Sequence, residues 1–220
     1  MKKVLIYKGF ERFWHWTQSV LIIFLAITGF EIHGSFSFFG FENAVKYHNI
    51  AAVILIVLII FAIFWHFTTG EWRQYLPTFE NLRGQINFYL LGIFKGSPHP
   101  FKKTTLSKLN PLQRLTYLGL KLLVIPVMVT TGLLYLYYRY PQNTKIEALN
   151  IDSLAPIAIL HTIGAFLLVA FIIAHLYLIT TGESVTSNLN AMITGYENLH
   201  DEHNTEERSV NTENISESRV

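Results

Sequence analysis

The sequence predicts an all-α protein, an integral membrane four-helix bundle, and three observations support this fold class. Four segments of the 220-residue chain are each apolar over about the 20 residues that a bilayer span requires. Charged residues make up only 15% of the chain, against about 25% in soluble domains, which argues against nucleic acid as a partner. The absence of cysteine excludes disulfides, thiolate-bound iron–sulfur clusters and covalently attached haem.

The four predicted spans cover about residues 13–33, 48–67, 114–138 and 157–181. All should be helical, because lipid offers the backbone no hydrogen-bond partners. The first is longer than the core of a signal peptide and has no clear small-x-small cleavage site after it. Pro126 should kink the third span without ending it, since packed neighbours can satisfy the freed backbone groups.

Lysine and arginine residues predict the orientation of the bundle. The N-terminus and the second loop together carry 11 of them, whereas the first and third loops carry 3. Because cytoplasmic loops are rich in positive charge, we expect both termini in the cytoplasm.

The segments outside the spans divide into three kinds. Residues 80–94 have apolar residues at helical spacing, which fits an interfacial amphipathic helix, with a solvated loop as an equal alternative. Residues 95–112 are rich in Pro, Gly, Ser and Lys and should be irregular. We expect a transmembrane domain over residues 1–185 and a polar, acidic cytoplasmic tail over 186–220, disordered at its end.

Five histidines lie in or at the ends of the spans, and they carry the functional signal. Ionisable residues in spans are rare and usually face the bundle interior, so each is a candidate functional residue. One alone would be explained by packing, but five at related depths require a common cause. They are His15, His48, His66, His161 and His175.

His161 and His175 are 14 residues apart on the fourth span. At 100° per residue they project from one face of the helix, about 21 Å apart along its axis. They cannot share one ion, but each can hold one of two cofactors, near opposite membrane surfaces.

A repeated tetrapeptide, ThrThrGlyGlu, gives each of these histidines a partner at its own depth. It ends the second span at 68–71 and the fourth at 180–183. His48 lies 20 residues before its copy and His161 lies 19 before the other, so these two should be level near the outer surface. His15, which opens the first span from the inner side, should be level with His175. The four metal-ligand candidates thus form an outer pair, His48–His161, and an inner pair, His15–His175.

His66 has no assigned partner in this scheme. It lies 18 residues after His48, five full helical turns, and therefore on the same face. Three roles stay open: lining a quinone pocket, replacing His15 as the inner ligand, or capping the interface.

The donor set favours haem over other metal centres. Zinc and di-iron sites in bundles use clustered ligands that usually include carboxylates, and the span interiors contain none. A haem needs only two neutral imidazoles and apolar walls. Gly164, one turn after His161, could let a ring approach the backbone, or could serve close helix packing. Arg12 lies where a haem propionate would emerge, although the simpler interpretation is a positively charged residue that flanks the span on its cytoplasmic side.

These residues carry a family resemblance. The most specific element is the pair His161 and His175, with TyrLeu at 177–178; HisTrp at 15–16 is similar to a first-span ligand motif, and His48 stands where a second-span ligand is expected. On these motifs the chain resembles the bacterial dihaem cytochrome b family, which includes the cytochrome b subunits of formate dehydrogenase, nickel–iron hydrogenase and thiosulfate reductase.

The resemblance covers roughly residues 7–185. It implies two non-covalent, bis-histidine haem b groups bridged by the fourth span, in a multi-pass protein of the bacterial inner membrane. It further implies electron transfer between the quinone pool and a catalytic subunit, or an iron–sulfur or multihaem subunit. Residues 65–77 and 109–114 look most like the thiosulfate or tetrathionate reductase branch.

The resemblance also implies a quinone site near the inner haem. By proximity, the candidates for it are His15, His66, Asn110, Gln113 and Lys121. Lys121 is a charge within a span and needs a partner such as a propionate or a quinone oxygen, unless it snorkels to the surface.

The function predicted from the sequence is therefore that of a membrane-anchor electron-transfer subunit, with quinone redox activity left open. The alternative is a histidine-based proton or metal transporter. Transporters place polar sites near the midplane, whereas these histidines lie near the two surfaces, which disfavours transport. A purely structural anchor would leave five histidines unexplained.

Overall fold

The structure contains the predicted membrane bundle. The computed structural model describes residues 2–79, 82–95, 97, 108–139, 154–182 and 184–199. Within these residues, four helical segments are long and apolar enough to cross a membrane: Gly9–Ile32, Phe41–Thr69, Pro111–Tyr137 and Ala155–Ile179. The prediction of an all-α membrane bundle is confirmed.

In chain order, the described elements are strand β1 (Lys2–Leu5), helices α1 (Gly9–Ile32), α2 (Phe41–Thr69), α3 (Leu82–Asn87), α4 (Pro111–Gly119), α5 (Ile125–Arg139), α6 (Ala155–Ile179) and α7 (Ser187–Thr194), and strand β2 (Tyr196–Leu199). Helix α1 packs against α2, and α5 packs against α6. The side chains buried between helices are mostly small or polar, and large apolar residues face outward. This distribution suits a bundle that lipid surrounds.

Helix α2 begins at Phe41, seven residues before the predicted span, because of a buried carboxylate that the apolar pattern does not reveal. Glu31, near the end of α1, is only 4% exposed. Its Oε1 accepts backbone N–H groups from Phe38, Phe39 and Gly40 at 2.8, 2.7 and 2.7 Å. This carboxylate fastens the first loop to the end of α1 and fixes where α2 starts.

The third span is made of three consecutive helical pieces. Helix α4 runs to Gly119, a π turn covers Leu120–Val124, and α5 continues from Ile125. The helix passes through Pro126 without ending, as predicted. Lys121 lies in the π turn, a local widening of the helix that recurs at functional positions.

The described residues of the second loop include several short helical segments, the first of which is a 3₁₀ helix over Glu71–Tyr75. Helix α3 is followed by a π turn over Phe88–Gly92 and a 3₁₀ turn over Ile93–Lys95. Residues 80–81 of the predicted amphipathic helix, and 96 and 98–107 of the predicted irregular segment, lie outside the described residues. Location of the helix at the membrane surface stays a prediction.

The segment after the fourth span folds back onto the N-terminus, which is a feature that the division at residue 185 does not include. Strands β1 and β2 pair antiparallel, with Lys2 opposite Leu199. Arg12 Nη1 donates to the carbonyl of Ile193 at 2.7 Å, and Trp16 Nε1 donates to that of Met192 at 3.3 Å. The described fold thus continues beyond residue 185 to residue 199. Disorder at the end of the tail stays a prediction, because residues 200–220 lie outside the described residues.

Candidate functional site

The structure brings the outer pair of histidines together between the helices. His48, two turns into α2, and His161, near the start of α6, have ring centroids 6.4 Å apart, with the ring planes at 64°. Tyr135 of α5 packs edge-on against His161 at 5.9 Å. Both imidazoles are half-buried between the helices.

Each outer imidazole is also held by a threonine from the neighbouring helix. Thr28 Oγ1 of α1 lies 2.9 Å from His48 Nδ1, and Thr131 Oγ1 of α5 lies 2.8 Å from His161 Nδ1. Both threonines are buried. With Nδ1 engaged, the second nitrogen of each ring, Nε2, is left available for a metal.

The inner pair is equally close but differently surrounded. His15 of α1 and His175 of α6 have ring centroids 6.2 Å apart, with the planes at 51°. Phe171 stacks on His175 at 5.6 Å and 22°. His15 Nδ1 is buried and has no hydrogen-bond partner among the described residues.

Both separations fit a metal held between two imidazoles. A metal–nitrogen bond of about 2 Å on each side, plus about 1.1 Å from nitrogen to ring centre, gives centroids roughly 6.2 Å apart. The described residues hold no cluster of three or more His, Cys, Asp or Glu that could bind a metal. The donor set is therefore two imidazoles per site, which is the ligation that a bis-histidine haem uses.

His66 lies among aromatic side chains near the inner end of α2, while His15 is the residue that faces His175. Its Nδ1 donates to the carbonyl of Ala62 at 2.6 Å, and its Nε2 lies 3.2 Å from the hydroxyl of Tyr75. Burial, helped by the charge of Glu11, raises the pKa of Tyr75, so its hydroxyl stays protonated and donates to His66. Both ring nitrogens of His66 are thus engaged.

Lys121 sits beside His66 in an aromatic enclosure. Its Nζ lies 3.3 Å from the ring centre of Tyr75 and 5.2 Å from that of Trp14. Trp14 in turn packs edge-on against His66 at 5.3 Å. The faces of these aromatic rings can attract the ammonium form of the lysine. We call these four residues, His66, Tyr75, Trp14 and Lys121, the aromatic enclosure.

A cluster of alternating charges lies next to this enclosure and joins three segments of the chain. Lys108 Nζ bridges Glu11 Oε1 at 2.8 Å and Glu71 Oε2 at 3.2 Å, and Lys8 Nζ bridges Glu71 Oε1 at 2.7 Å. We call these four residues the charge cluster. Burial raises the pKa of Glu71, but the hydrogen bond from Lys8 and the charge of Lys108 outweigh it and hold the pKa below its ordinary value.

Two of the predicted quinone-pocket residues are engaged in capping α4. Asn110 Oδ1 accepts the backbone N–H of Gln113 at 2.8 Å, and Gln113 Oε1 accepts that of Asn110 at 3.0 Å. Asn110 Nδ2 also donates to the hydroxyl of Tyr89 at 2.9 Å. This reciprocal capping box gives both residues a structural role at the start of the third span.

Two other predicted residues have contacts that give them structural roles. A Cβ at Gly164 would lie 2.5 Å from Met128 Sδ, so Gly164 permits the close approach of α5 and α6. Arg12 Nη1 binds the backbone at the end of α7, while its Nε is buried without a partner among the described residues. Gly164 thus has the packing role, and Arg12 ties α1 to α7.

The threonine anchors, Thr28 and Thr131, were not selected from the sequence, although it carries a signal for them. Each is followed by a glycine, and the ThrGly pairs at 28–29 and 131–132 occupy corresponding places in α1 and α5. A Cβ at Gly29 would lie 3.5 Å from His48 Cε1, and one at Gly132 would lie 3.6 Å from His161 Cε1. The repeat becomes informative once α1–α2 and α5–α6 are recognised as equivalent pairs.

Comparison with known proteins agrees with a site that holds haem between two imidazoles. Residues 6–195 match the family of prokaryotic cytochromes b561. The chain belongs to this family. It is also 30% identical over 207 residues to the Escherichia coli (strain K12) protein named "Putative cytochrome YdhU", an alignment that covers 89% of this chain and 75% of that protein.

Membership of the family establishes the general function of the chain. It is a membrane protein that binds haem b and transfers electrons, and it is a multi-pass protein of the bacterial inner membrane. The resemblance stated from the histidine motifs is confirmed at the level of a bacterial cytochrome b family.

Proposed function

We propose that the chain is a dihaem cytochrome b subunit that carries electrons between the quinone pool and a partner respiratory oxidoreductase. The observation that carries the proposal is the pair of facing imidazoles at each end of α6, with ring centroids 6.4 and 6.2 Å apart. Both separations match what one metal ion between two imidazoles requires.

The roles of the residues follow from their positions. His48 and His161 hold the outer haem, and His15 and His175 hold the inner one. Bound haem b supplies a one-electron redox centre at each pair. Because His161 and His175 lie on the same helix, about 21 Å apart along its axis, α6 fixes the separation of the two centres.

Haem content tests the number of sites directly. Purified protein should contain two b-type haems per chain, measured by a dithionite-reduced minus oxidised spectrum and by extraction of the haem. His15→Ala should leave one haem, whereas His66→Ala should leave both. One haem in the unaltered protein, or loss of a haem in His66→Ala but not in His15→Ala, would overturn the assignment.

The quinone site belongs beside the inner pair, at the aromatic enclosure. The amine of Lys121 lies inside the membrane against aromatic faces, and the hydrogen bond between Tyr75 and His66 holds the neighbouring side chains in place. Such a site can donate hydrogen bonds or protons to a quinone oxygen. Asn110 and Gln113 contribute by fixing the start of α4, because their amide oxygens accept backbone N–H groups within the cap.

Quinol-driven haem reduction tests this site. Lys121→Met should slow reduction of the haems by a soluble quinol analogue at least tenfold, while both haems stay bound. Lys46→Met, which alters an exposed lysine of α2, is the control and should leave the rate unchanged. Equal rates in the Lys121 variant and the unaltered protein would remove Lys121 from the quinone site.

The orientation and the partner complete the proposal. Both termini lie in the cytoplasm, as the excess of lysine and arginine in the N-terminus and the second loop predicts. The partner is a catalytic subunit, or an iron–sulfur or multihaem subunit, that exchanges electrons with one of the haems. Reactivity of cysteines introduced at Ser187 and Ser35 toward an impermeant thiol reagent in intact cells tests the orientation. Only Ser35→Cys should react.

A further inference from the structure

We propose that Thr28 and Thr131 are positioning residues that orient the two ligands of the outer haem and lower its reduction potential. The inference rests on the proposed ligation by His48 and His161. Thr28 is 0% and Thr131 is 4% exposed, so neither hydroxyl can exchange its partners for water. Both lie within 3 Å of an imidazole nitrogen, at 2.9 and 2.8 Å.

The hydrogen bonds of each threonine fix which ring nitrogen carries the proton. Thr28 Oγ1 donates to the carbonyl of Phe24 at 2.9 Å, one helical turn earlier. A hydroxyl has one proton, so the same oxygen must accept the bond from His48 Nδ1. His48 is therefore protonated at Nδ1, and its Nε2 carries the lone pair that a metal requires.

The second threonine repeats this arrangement on another helix. Thr131 Oγ1 donates to the carbonyl of Val127 at 2.6 Å and accepts from His161 Nδ1. Helices α1 and α5 thus each supply a threonine hydroxyl that accepts the Nδ1 proton of a histidine on α2 or α6. Ordinary back-bonding of threonine to its own helix would explain the donated bond but not a histidine at the acceptor position in both cases.

The accepted bond has an electronic consequence as well as a geometric one. Donation of the Nδ1 proton makes an imidazole a more basic ligand. A more basic ligand stabilises ferric over ferrous iron, which lowers the reduction potential. His15 of the inner pair has no such partner among the described residues, so the device belongs to the outer site.

The test replaces each hydroxyl by a methyl of the same size. In Thr28→Val and Thr131→Val, the midpoint potential of the outer haem, followed by spectroelectrochemical titration of the purified protein, should shift upward, and that of the inner haem should not. Thr28→Ser and Thr131→Ser keep the hydroxyl and should restore the unaltered potential. Thr130→Val changes the exposed neighbour of Thr131 and is the matched control.

Each outcome is decisive. Loss of the outer haem in a Val variant with retention in the matching Ser variant supports the positioning role, as does the upward shift. Two Val variants with both haems and unchanged potentials would overturn it, and so would loss of the outer haem in Val and Ser variants alike. Failure of the ligation itself is recognised separately, because His161→Ala would then keep both haems.

Discussion

The two histidine pairs have almost the same separation, yet the bundle holds them by different means. The outer pair lies between equivalent helix pairs, and each imidazole is fixed by a threonine from the adjacent helix. The inner pair joins α1 directly to α6 and is held by a stacked phenylalanine, Phe171, at 5.6 Å. The outer site is thus built from hydrogen bonds within the spans, while the inner one depends on what surrounds the bundle's inner end.

The surroundings of the inner end are rich in charge and aromatic groups. The charge cluster ties the start of α1 to the end of α2 and to the segment before α4. The β1–β2 ribbon then ties the start of α1 to the segment after α6. A redox site that must exchange protons with water needs such groups nearby, whereas one that only passes electrons does not. The difference between the pairs therefore fits a division of labour along α6.

Removal of one ligand from each pair tests this independence and should have the largest effect. His161→Ala should abolish the outer haem and leave the inner one, and His175→Ala should do the reverse. The reason is that each pair is complete without the other and the two lie about 21 Å apart along α6. Haem extraction and redox titration of both variants measure the result.

Independent haem binding by the two pairs would be contradicted if either variant lost both haems while the protein stayed folded. Such an outcome would mean that the haems bind cooperatively and that the pairs are one structural unit. Retention of an identical helical circular dichroism spectrum is the control for folding.

The next effect should come from the charge cluster, which supports only the inner end. Lys108 is 8% exposed in its side chain and neutralises two carboxylates. Lys108→Met should cost about 3 kcal/mol of unfolding free energy, because it leaves the largely buried carboxylate of Glu11 without its lysine, while Glu71 keeps Lys8. Lys8→Met is the control, since the Lys8 side chain is 54% exposed and should cost less than about 1 kcal/mol.

Chemical unfolding in detergent gives the two free energies, and haem content after mild heating shows which site responds. Lys108→Met should release the inner haem before the outer one. Equal stability of the Lys108 and Lys8 variants would show that the cluster does not hold the inner end together.

The two histidine pairs could be predicted from the sequence, but the contacts that hold each pair in place could not. The spans and the depths of the histidines follow from the apolar segments and from the ThrThrGlyGlu repeat at 68–71 and 180–183. These features are local or periodic, so they can be read without coordinates. The structure places the His48–His161 and His15–His175 pairs together, as these features predict.

What the sequence did not reveal depends on contacts between distant segments. Lys108 and Glu11 are 97 residues apart, and nothing in their local pattern indicates that they meet. The positions of Asn110 and Gln113 along the chain predict a place near the quinone site, although their spacing also fits a helix cap. Gly164 was chosen for its place beside His161, but the atom that needs the space is on Met128 of another helix.

A pH series should have a moderate effect on the inner end. The pKa of Glu71 is held below its ordinary value of about 4.3. Its contribution to stability is therefore present above that pH and is lost as the pH falls through the lowered pKa. The melting temperature of the unaltered protein should exceed that of Glu71→Gln at pH 7, and the difference should shrink as the pH falls through the lowered pKa of Glu71.

The difference in melting temperature reports on Glu71 alone, because every other carboxylate that titrates in acid is present in both the unaltered protein and Glu71→Gln. The pKa of Lys8 is raised by its bond to Glu71, so its contribution is present below about pH 10.4 and is lost above it. A gap between the two melting temperatures that stays constant from pH 7 to pH 3 would contradict a charge-based role for Glu71.

The smallest effect should come from Gly164, which spaces α5 from α6 beside the outer pair. Gly164→Ala would place a methyl 2.5 Å from Met128 Sδ, and the flexible thioether should move aside at a cost of about 1 kcal/mol. Both haems should stay bound. If Met128 is the source of the cost, Gly164→Ala should be nearly neutral in a Met128→Ala background. Gly29→Ala is the control, because its methyl would meet His48 Cε1 at an ordinary contact distance of 3.5 Å. A larger loss of stability in Gly29→Ala than in Gly164→Ala would show that contact with the outer ligands, rather than the spacing of α5 and α6, determines the cost of an added methyl here.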